Sequence, residues 1–329
     1  MYINEIIRVT YKCNWKCKFC NVLKTNNFGE NDITSKEIII QILDIARKYS
    51  KDELNNTTLS LSGGEPTLNN KLSKYIKLSK AIGVGNVQIQ TNGSTIFSDF
   101  TLLEGLIDSG LDEIFFSNHS NDSELNKAMG SYTNTDNFFK FLAHFEKNNL
   151  NKKVRILTNI VVNKFNISTT KDYISFLIKN NYFKIIDNNH LSIGFVQPNG
   201  YANINKDEVL LKYDEKELNY IKDFVLFCES NGLSLDFHFT APPICTLDYR
   251  EYNLEYDRLK QLENDKTKGN LIEPNLEKYE WLWKEKQKFS ECNKCKYNDY
   301  CLGFYKNWLS FVGDDYAKEK INNFLKNGK

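Results

Sequence analysis

From residue 5 to about residue 200 the chain alternates short β-branched runs with amphipathic stretches, a rhythm that leaves few folds open. The strand-like runs are Glu5–Thr10, Thr58–Ser62, Asn86–Thr91, Glu113–Ser117, Val154–Val162 and Leu191–Gln197. Between them apolar residues return at helical spacing: Ile38, Ile42, Ile45 and Tyr49, then Leu72, Tyr75 and Ile76, then Phe138, Phe141, Leu142 and Phe145. The first of these stretches opens on Thr34-Ser-Lys-Glu37, a capping box, and the aromatic positions read as core packing. Six strands alternating with helices predict right-handed crossovers and a parallel α/β sheet. In such sheets ligands gather at the carboxyl ends of the strands. The chemically notable residues fall there. Cys13, Cys17 and Cys20 follow the first run, Gly63-Gly64-Glu65-Pro66 the second, Thr91-Asn92-Gly93 the third and Ser117-Asn118-His119 the fourth.

After about residue 205 the pattern changes, so the expected division is a core over 1–205 and an extension over 206–329. A helix-like stretch from Asp214 to Ser230 leads to the run Leu233–Phe239 and then to Pro242-Pro243-Ile244-Cys245. Residues 250–290, dense in Lys, Glu, Tyr and Trp, read as a helix around Leu276–Lys288 or as a mobile cover. Cys292, Cys295 and Cys301 follow.

Composition removes several function classes. No run of eighteen apolar residues exists and the N-terminus lacks a secretory pattern, so a cytoplasmic chain without a membrane span is expected. Net charge is +1, and 38 Lys but only 5 Arg are interleaved with acidic residues. That balance describes solvated faces and not a nucleic-acid binder. Eight cysteines in a reducing compartment point to metal or redox chemistry in place of disulfides.

The spacing Cys13-x3-Cys17-x2-Cys20 suits neither a structural zinc site, which wants four ligands, nor a disulfide framework. Three thiolates can hold three irons of a [4Fe–4S] cluster and leave the fourth open to an exogenous ligand.

Here the sequence resembles the radical S-adenosylmethionine (SAM) enzymes. Their C-x3-C-x-aromatic-C signature is matched by Cys13, Cys17, Phe19 and Cys20, and their GGEP element by Gly63-Gly64-Glu65-Pro66. The segment Glu124-Leu-Asn-Lys-Ala-Met-Gly130-Ser is similar to one these enzymes carry after strand four. The resemblance implies a partial (β/α)6 TIM-like barrel with a small C-terminal iron–sulfur extension. It also implies a 5′-deoxyadenosyl radical, made by reductive cleavage of SAM, that abstracts hydrogen from a substrate. Implied cofactor contacts are a backbone group of Phe19, the close-approach glycines Gly63 and Gly64, the Glu65 carboxylate on the SAM amino group, and Ser117 and Asn163 at strand ends.

Cys292-x2-Cys295-x5-Cys301 resembles the SPASM or shorter Twitch extension, which carries auxiliary [4Fe–4S] clusters. With Cys245 as fourth ligand the count implies one auxiliary cluster; four thiolates also suit zinc. Cys228, at helical spacing with Ile221, Phe224 and Phe227, reads as a buried apolar side chain. Of the histidines, His119 at a strand end is the candidate for substrate contact. His144, beside a helix's apolar face, His190 and His238 read as structural or solvent-facing.

The expected activity is a peptide maturase acting on a peptide or protein side chain. The alternatives are a small-molecule radical SAM dehydrogenase or epimerase, and a non-catalytic iron–sulfur electron carrier, against which GGEP and the open iron argue. GTP rearrangement for molybdopterin ranks last, because the spacing of the final cysteines and the C-terminus differ from that pattern. A reductant such as flavodoxin or ferredoxin is implied. With so little chain ahead of Cys13, a leader peptide is expected to need a separate peptide-recognition protein.

Overall fold

The structure, a computed structural model, describes residues 3–22, 32–237, 242–247, 284–299 and 301–326. Seven strands lie in sequence order in one sheet: β1 Ile3–Thr10, β2 Thr57–Gly63, β3 Asn86–Thr91, β4 Glu113–Ser117, β5 Arg155–Val162, β6 His190–Phe195 and β7 Ser234–Phe237. The ladders from β1 through β5 are parallel, with helices in the connections. The α/β reading holds, and the sheet is open, with β1 and β7 at its two ends.

The seventh strand comes from the run that the six-strand expectation left outside the barrel. Leu235 and Phe237 are buried, the Phe237 ring meets Phe195 edge-on at 5.4 Å, and Ser192 Oγ donates to the buried Asp236 at 3.0 Å. Those contacts recruit the run to the sheet. His238 and Phe239 lie outside the described residues.

Register is fixed by polar rows as well as by apolar burial. Ser60, Gln88, Glu113 and Arg155 are direct partners across four neighbouring strands. Ser60 Oγ donates to the Gln88 carbonyl, the Gln88 amide donates to Glu113, and Arg155 pairs with the same carboxylate. A one-residue slip would turn each of these side chains to the opposite face. Ser62 and Gln90 form a shorter row, 2.9 Å apart.

The helices form where the apolar spacing predicts. Helix Ser35–Lys48 begins at the Thr34–Glu37 capping box and buries Ile38, Ile42 and Ile45. Helix Thr135–Lys147 buries Phe138, Phe141, Leu142 and Phe145, and Phe97 packs on Phe116 and Phe141 at 4.9 and 4.6 Å. Helix Glu215–Ser230 buries Ile221, Phe224 and Cys228. Burial pushes the Cys228 thiol up to about 12, as expected for an inert core thiol.

Two compact units result, one formed by Met1–Cys17, Val22–Ile160 and Thr169–Leu191, the other by Lys18–Asn21, Val161–Ser168 and Ser192–Lys329. In the second unit Lys286–Gln287 (β8) pairs antiparallel with Phe304–Tyr305 (β9). The helix expected around Leu276–Lys288 therefore does not reach Lys286, because the β9 partner takes the backbone there; residues 276–283 lie outside the described residues. Among the described residues no helix is long and apolar enough to cross a membrane.

Candidate metal centres and cofactor site

The loop after β1 carries Cys13 and Cys17 in the first unit and continues to Phe19 and Cys20 in the second. All three cysteines are half-buried, while Trp15 and Phe19 are buried. The loop's root is held by the end of β2: Gly64 N donates to Thr10 O and Glu65 N to Lys12 O, both at 2.7 Å. A Cβ on Gly63 or Gly64 would stand 2.1 Å from the Thr10 or Lys12 carbonyl oxygen respectively. The close approach that these glycines permit is thus backbone on backbone, against the cysteine loop itself. Asp32 adds a third hold by accepting from Thr10 Oγ1 at 2.6 Å and Tyr11 N at 2.8 Å.

On the Cys13–Cys17 side the loop rests on Gly130, the left-handed cap of helix Ser123–Met129. Lys16 N donates to Gly130 O at 2.9 Å, and a Cβ on Gly130 would stand 2.2 Å from Lys16 O. Gly232 has a similar φ, +70° against +75°, but no atom within 4 Å of its would-be Cβ. Gly232→Ala is therefore expected to cost only backbone strain, about 1–2 kcal/mol. Gly130→Ala carries the same strain and also displaces the loop. Its reconstituted iron content is expected to fall toward about half while Gly232→Ala keeps its iron, as a colorimetric iron assay would read.

Glu65, at the start of the turn Pro66–Leu68, is completely buried. Its carboxylate accepts from Thr67 N at 3.1 Å, Thr67 Oγ1 at 2.5 Å, Thr91 Oγ1 at 2.7 Å and Asn92 N at 2.8 Å. Burial holds its pKa above the ordinary carboxylate value, although the bonds from Thr67, Asn92 and Thr91 act the other way. The side chain thus ties the end of β2 to the end of β3. Asn163, just after β5, is also fully buried: Oδ1 accepts from Phe165 N at 2.9 Å and Nδ2 donates to Val161 O at 3.1 Å. Ser117 closes β4 half-buried.

His119 follows β4 at 3% exposure, and burial lowers its pKa to about 3, so it stands as a neutral imidazole at neutral pH. His144 lies over Phe100, with ring centroids 4.1 Å apart, and its Nε2 is 3.0 Å from Glu104. His190 is the first residue of β6.

The second group of cysteines lies within the second unit. Cys245, Cys292, Cys295 and Cys301 line one cavity, together with Lys288 and Phe324. Ile244, Tyr297 and Phe324 form the apolar cluster beneath it, and Cys245 and Cys295 pack against that cluster. Burial raises the Cys245 thiol, and the neighbouring Cys301 and Cys292 raise it further. Burial likewise raises Cys292 and Cys295, while Lys288 pulls both the other way. Such thiols ionise when a metal takes the proton's place. Among the described residues no three His, Cys, Asp or Glu side chains are grouped as a single metal-ion site.

Cys13 and Cys301 share a local feature. Trp15 N donates to Cys13 Sγ and Gly303 N to Cys301 Sγ, each at 3.4 Å and each from two residues downstream. Such amide–sulfur bonds favour the thiolate that a metal needs. Sequence reading missed the supports Asp32 and Lys288, and the part that Gly130 plays under the loop. Only the singling out of the segment Glu124–Ser131, which contains Gly130, pointed toward any of them.

Residues 7–177 match the family model described as the radical SAM superfamily. Two curated relatives are named probable GTP 3′,8-cyclase. The chain is 30% identical to that of Saccharolobus solfataricus over 160 residues, 49% of this chain and 48% of that protein. It is 29% identical to that of Sulfurisphaera tokodaii over 173 residues, 53% of this chain and 51% of that protein. The chain thus spans about half the length of the curated relatives it matches. Among solved structures, anSMEcpe with bound AdoMet aligns at a TM-score of 0.59 and 17% identity over 99% of this chain and 96% of that one. SuiB of Streptococcus suis bound to S-adenosylmethionine aligns at 0.53 and 20% identity over 76% of this chain and 53% of that one.

Proposed function

Because the chain belongs to the radical SAM superfamily, we propose that Cys13, Cys17 and Cys20 hold its SAM-binding [4Fe–4S] cluster. We further propose that Cys245, Cys292, Cys295 and Cys301 hold an auxiliary cluster, and that the substrate is a peptide or protein side chain. Cluster and SAM together supply a 5′-deoxyadenosyl radical for hydrogen abstraction. The chain's own residues bind, orient and exclude water.

The observation that carries the two-centre reading is that four cysteines line one cavity. A zinc ion needs its sulfurs about 2.3 Å from a single point. Among the described residues no three His, Cys, Asp or Glu side chains are grouped so as to hold one metal ion, which favours a polynuclear group. Cys245 among those lining residues supports four protein ligands, hence a saturated cluster that transfers electrons or braces the fold and does not ligate substrate.

Around the first cluster, backbone groups near Phe19, Gly63 and Gly64 and the Ser117 hydroxyl are the assigned SAM contacts. Glu65 and Asn163 have their side chains engaged by the protein and act through the turns they hold. His119, neutral and buried, offers a substrate an uncharged imidazole.

The peptide reading is supported by the near full-length likeness to anSMEcpe, also solved with bound peptides, at 18% and 17% identity. A reductant of the flavodoxin or ferredoxin type and a separate peptide-recognition protein complete the scheme. The relatives named GTP 3′,8-cyclase favour a second reading, a purine nucleotide substrate. The two separate in one experiment. Anaerobically reconstituted protein with dithionite and SAM is expected to release 5′-deoxyadenosine slowly, and faster with a peptide pool. Deuterium from labelled peptide should enter the 5′-deoxyadenosine. Stimulation by GTP alone, with label transferred from deuterated GTP, would sink the peptide reading and establish the second.

A further inference from the structure

We propose that Asn92 is a positioning residue that sets the reduction potential of the first cluster by donating its side-chain amide to the sulfur of Cys13. This rests on Cys13 being a cluster ligand. Asn92 Nδ2 lies 4.0 Å from Cys13 Sγ and 3.0 Å from Asn14 Oδ1, and the residue is 9% exposed.

The direction of the amide is fixed by its surroundings. Asn92 Oδ1 accepts from Ser94 N at 2.9 Å, and a backbone N–H can only donate. The opposite end of the amide, which turns toward Cys13 and Asn14, is therefore the NH₂. A ring of hydrogen bonds locks it. Asn14 Nδ2 donates to Ser94 Oγ at 2.7 Å, Ser94 Oγ donates to Asn92 Oδ1 at 2.6 Å, and Asn92 Nδ2 returns to Asn14 Oδ1. Each bond polarises the next. The backbone is anchored as well, since the buried Glu65 takes both Asn92 N and Thr91 Oγ1, and Gly93 N donates to Thr91 Oγ1 at 3.0 Å. Asn14 is the residue next to Cys13, so the ring also fixes the ligand loop to the end of β3.

Hydrogen bonds to cluster sulfurs are among the factors that set the potential. A donor on a cysteine sulfur stabilises the more negative, reduced state and so raises the potential. Removing the donor lowers it. Asn92→Asp keeps an oxygen for Ser94 N and nearly the same shape, but places a negative charge where the NH₂ was. Asn92→Leu removes donor and acceptor without adding charge.

The test is an anaerobic redox titration of the reconstituted protein at pH 8, read by the EPR signal of the reduced cluster. The Cys295→Ala/Cys301→Ala background removes the second signal. At a fixed applied potential the ratio of reduced to oxidised cluster is expected to fall about tenfold in Asn92→Leu, a 59 mV lowering for one electron. Asn92→Asp should fall further. Should Asn92→Leu fail to load iron, Asn92→Asp is read with pulsed EPR of unsubstituted Asn92 protein labelled with ¹⁵N in asparagine side chains. A hyperfine coupling from that nitrogen supports the bond. Variants that load iron and titrate with the parent, or a parent without that coupling, overturn it. A parent with no reducible cluster at Cys13, Cys17 and Cys20 overturns the ligand assignment instead.

Discussion

Replacing Cys13, Cys17 and Cys20 together with alanine is expected to lower the iron content of anaerobically reconstituted protein from about eight to about four atoms per chain. It should also abolish reductive release of 5′-deoxyadenosine. The chain is expected to stay folded, because the loop is held by backbone bonds from Gly64, Glu65 and Gly130 that need no metal. A colorimetric iron assay, circular dichroism and chromatography of the nucleoside products together check this. Wild-type protein with four irons and one tightly held zinc would remove the auxiliary cluster and leave the SAM site standing. Unchanged 5′-deoxyadenosine release in the folded triple variant would defeat the ligand assignment itself.

The complementary change, Cys295→Ala with Cys301→Ala, is expected to spare SAM cleavage and stop turnover of the true substrate. The loss should exceed the roughly 10–100-fold typical when an outer-shell partner of a metal ligand is removed. The two activities are expected to separate because Cys245, Cys292, Cys295 and Cys301 line a pocket of their own, which none of Cys13, Cys17 and Cys20 lines. Folding must be measured alongside, since binding free energy at a structural metal is also folding free energy. Cys295 packs on the Ile244, Tyr297 and Phe324 cluster, so local loosening there is the specific risk. A folded variant that converts substrate at the wild-type rate would leave this metal with no part in catalysis.

Much of this was legible in the chain because local physics writes it there. Strand and helix positions follow from side-chain periodicity, and β3 and β4 coincide with their sequence-predicted limits. The Thr34–Glu37 box is a contact between residues three apart, so sequence suffices to find it. The Cys13-x3-Cys17-x2-Cys20 spacing identifies its chemistry for the same reason, since the ligands share one loop. Cys228 was separable from the other cysteines by its helical phase alone.

Glu65 shows where reading by motif stops. Its place in GGEP suggested a carboxylate facing a ligand, yet the side chain bonds Thr67, Thr91 and Asn92 and carries no exposed surface. Which of two uses a carboxylate serves depends on what a strand 26 residues away brings beside it. The glycine pair permits a close approach whose partner, the carbonyls of Thr10 and Lys12, lies about fifty residues back in the chain.

The sequence by itself determined the parallel α/β class, the limits of the first six strands within a few residues, and the two groups of cysteines, because each rests on interactions among near neighbours. Only the tertiary structure decided that β7 joins the sheet and that Cys245 shares a cavity with Cys292, Cys295 and Cys301. It alone brought Asn92 to Cys13 and Gly130 under the cysteine loop. Those outcomes pair groups tens of residues apart, and the pairing is chosen by which arrangement buries apolar surface while leaving buried polar atoms hydrogen-bonded. No local pattern in the chain encodes that choice.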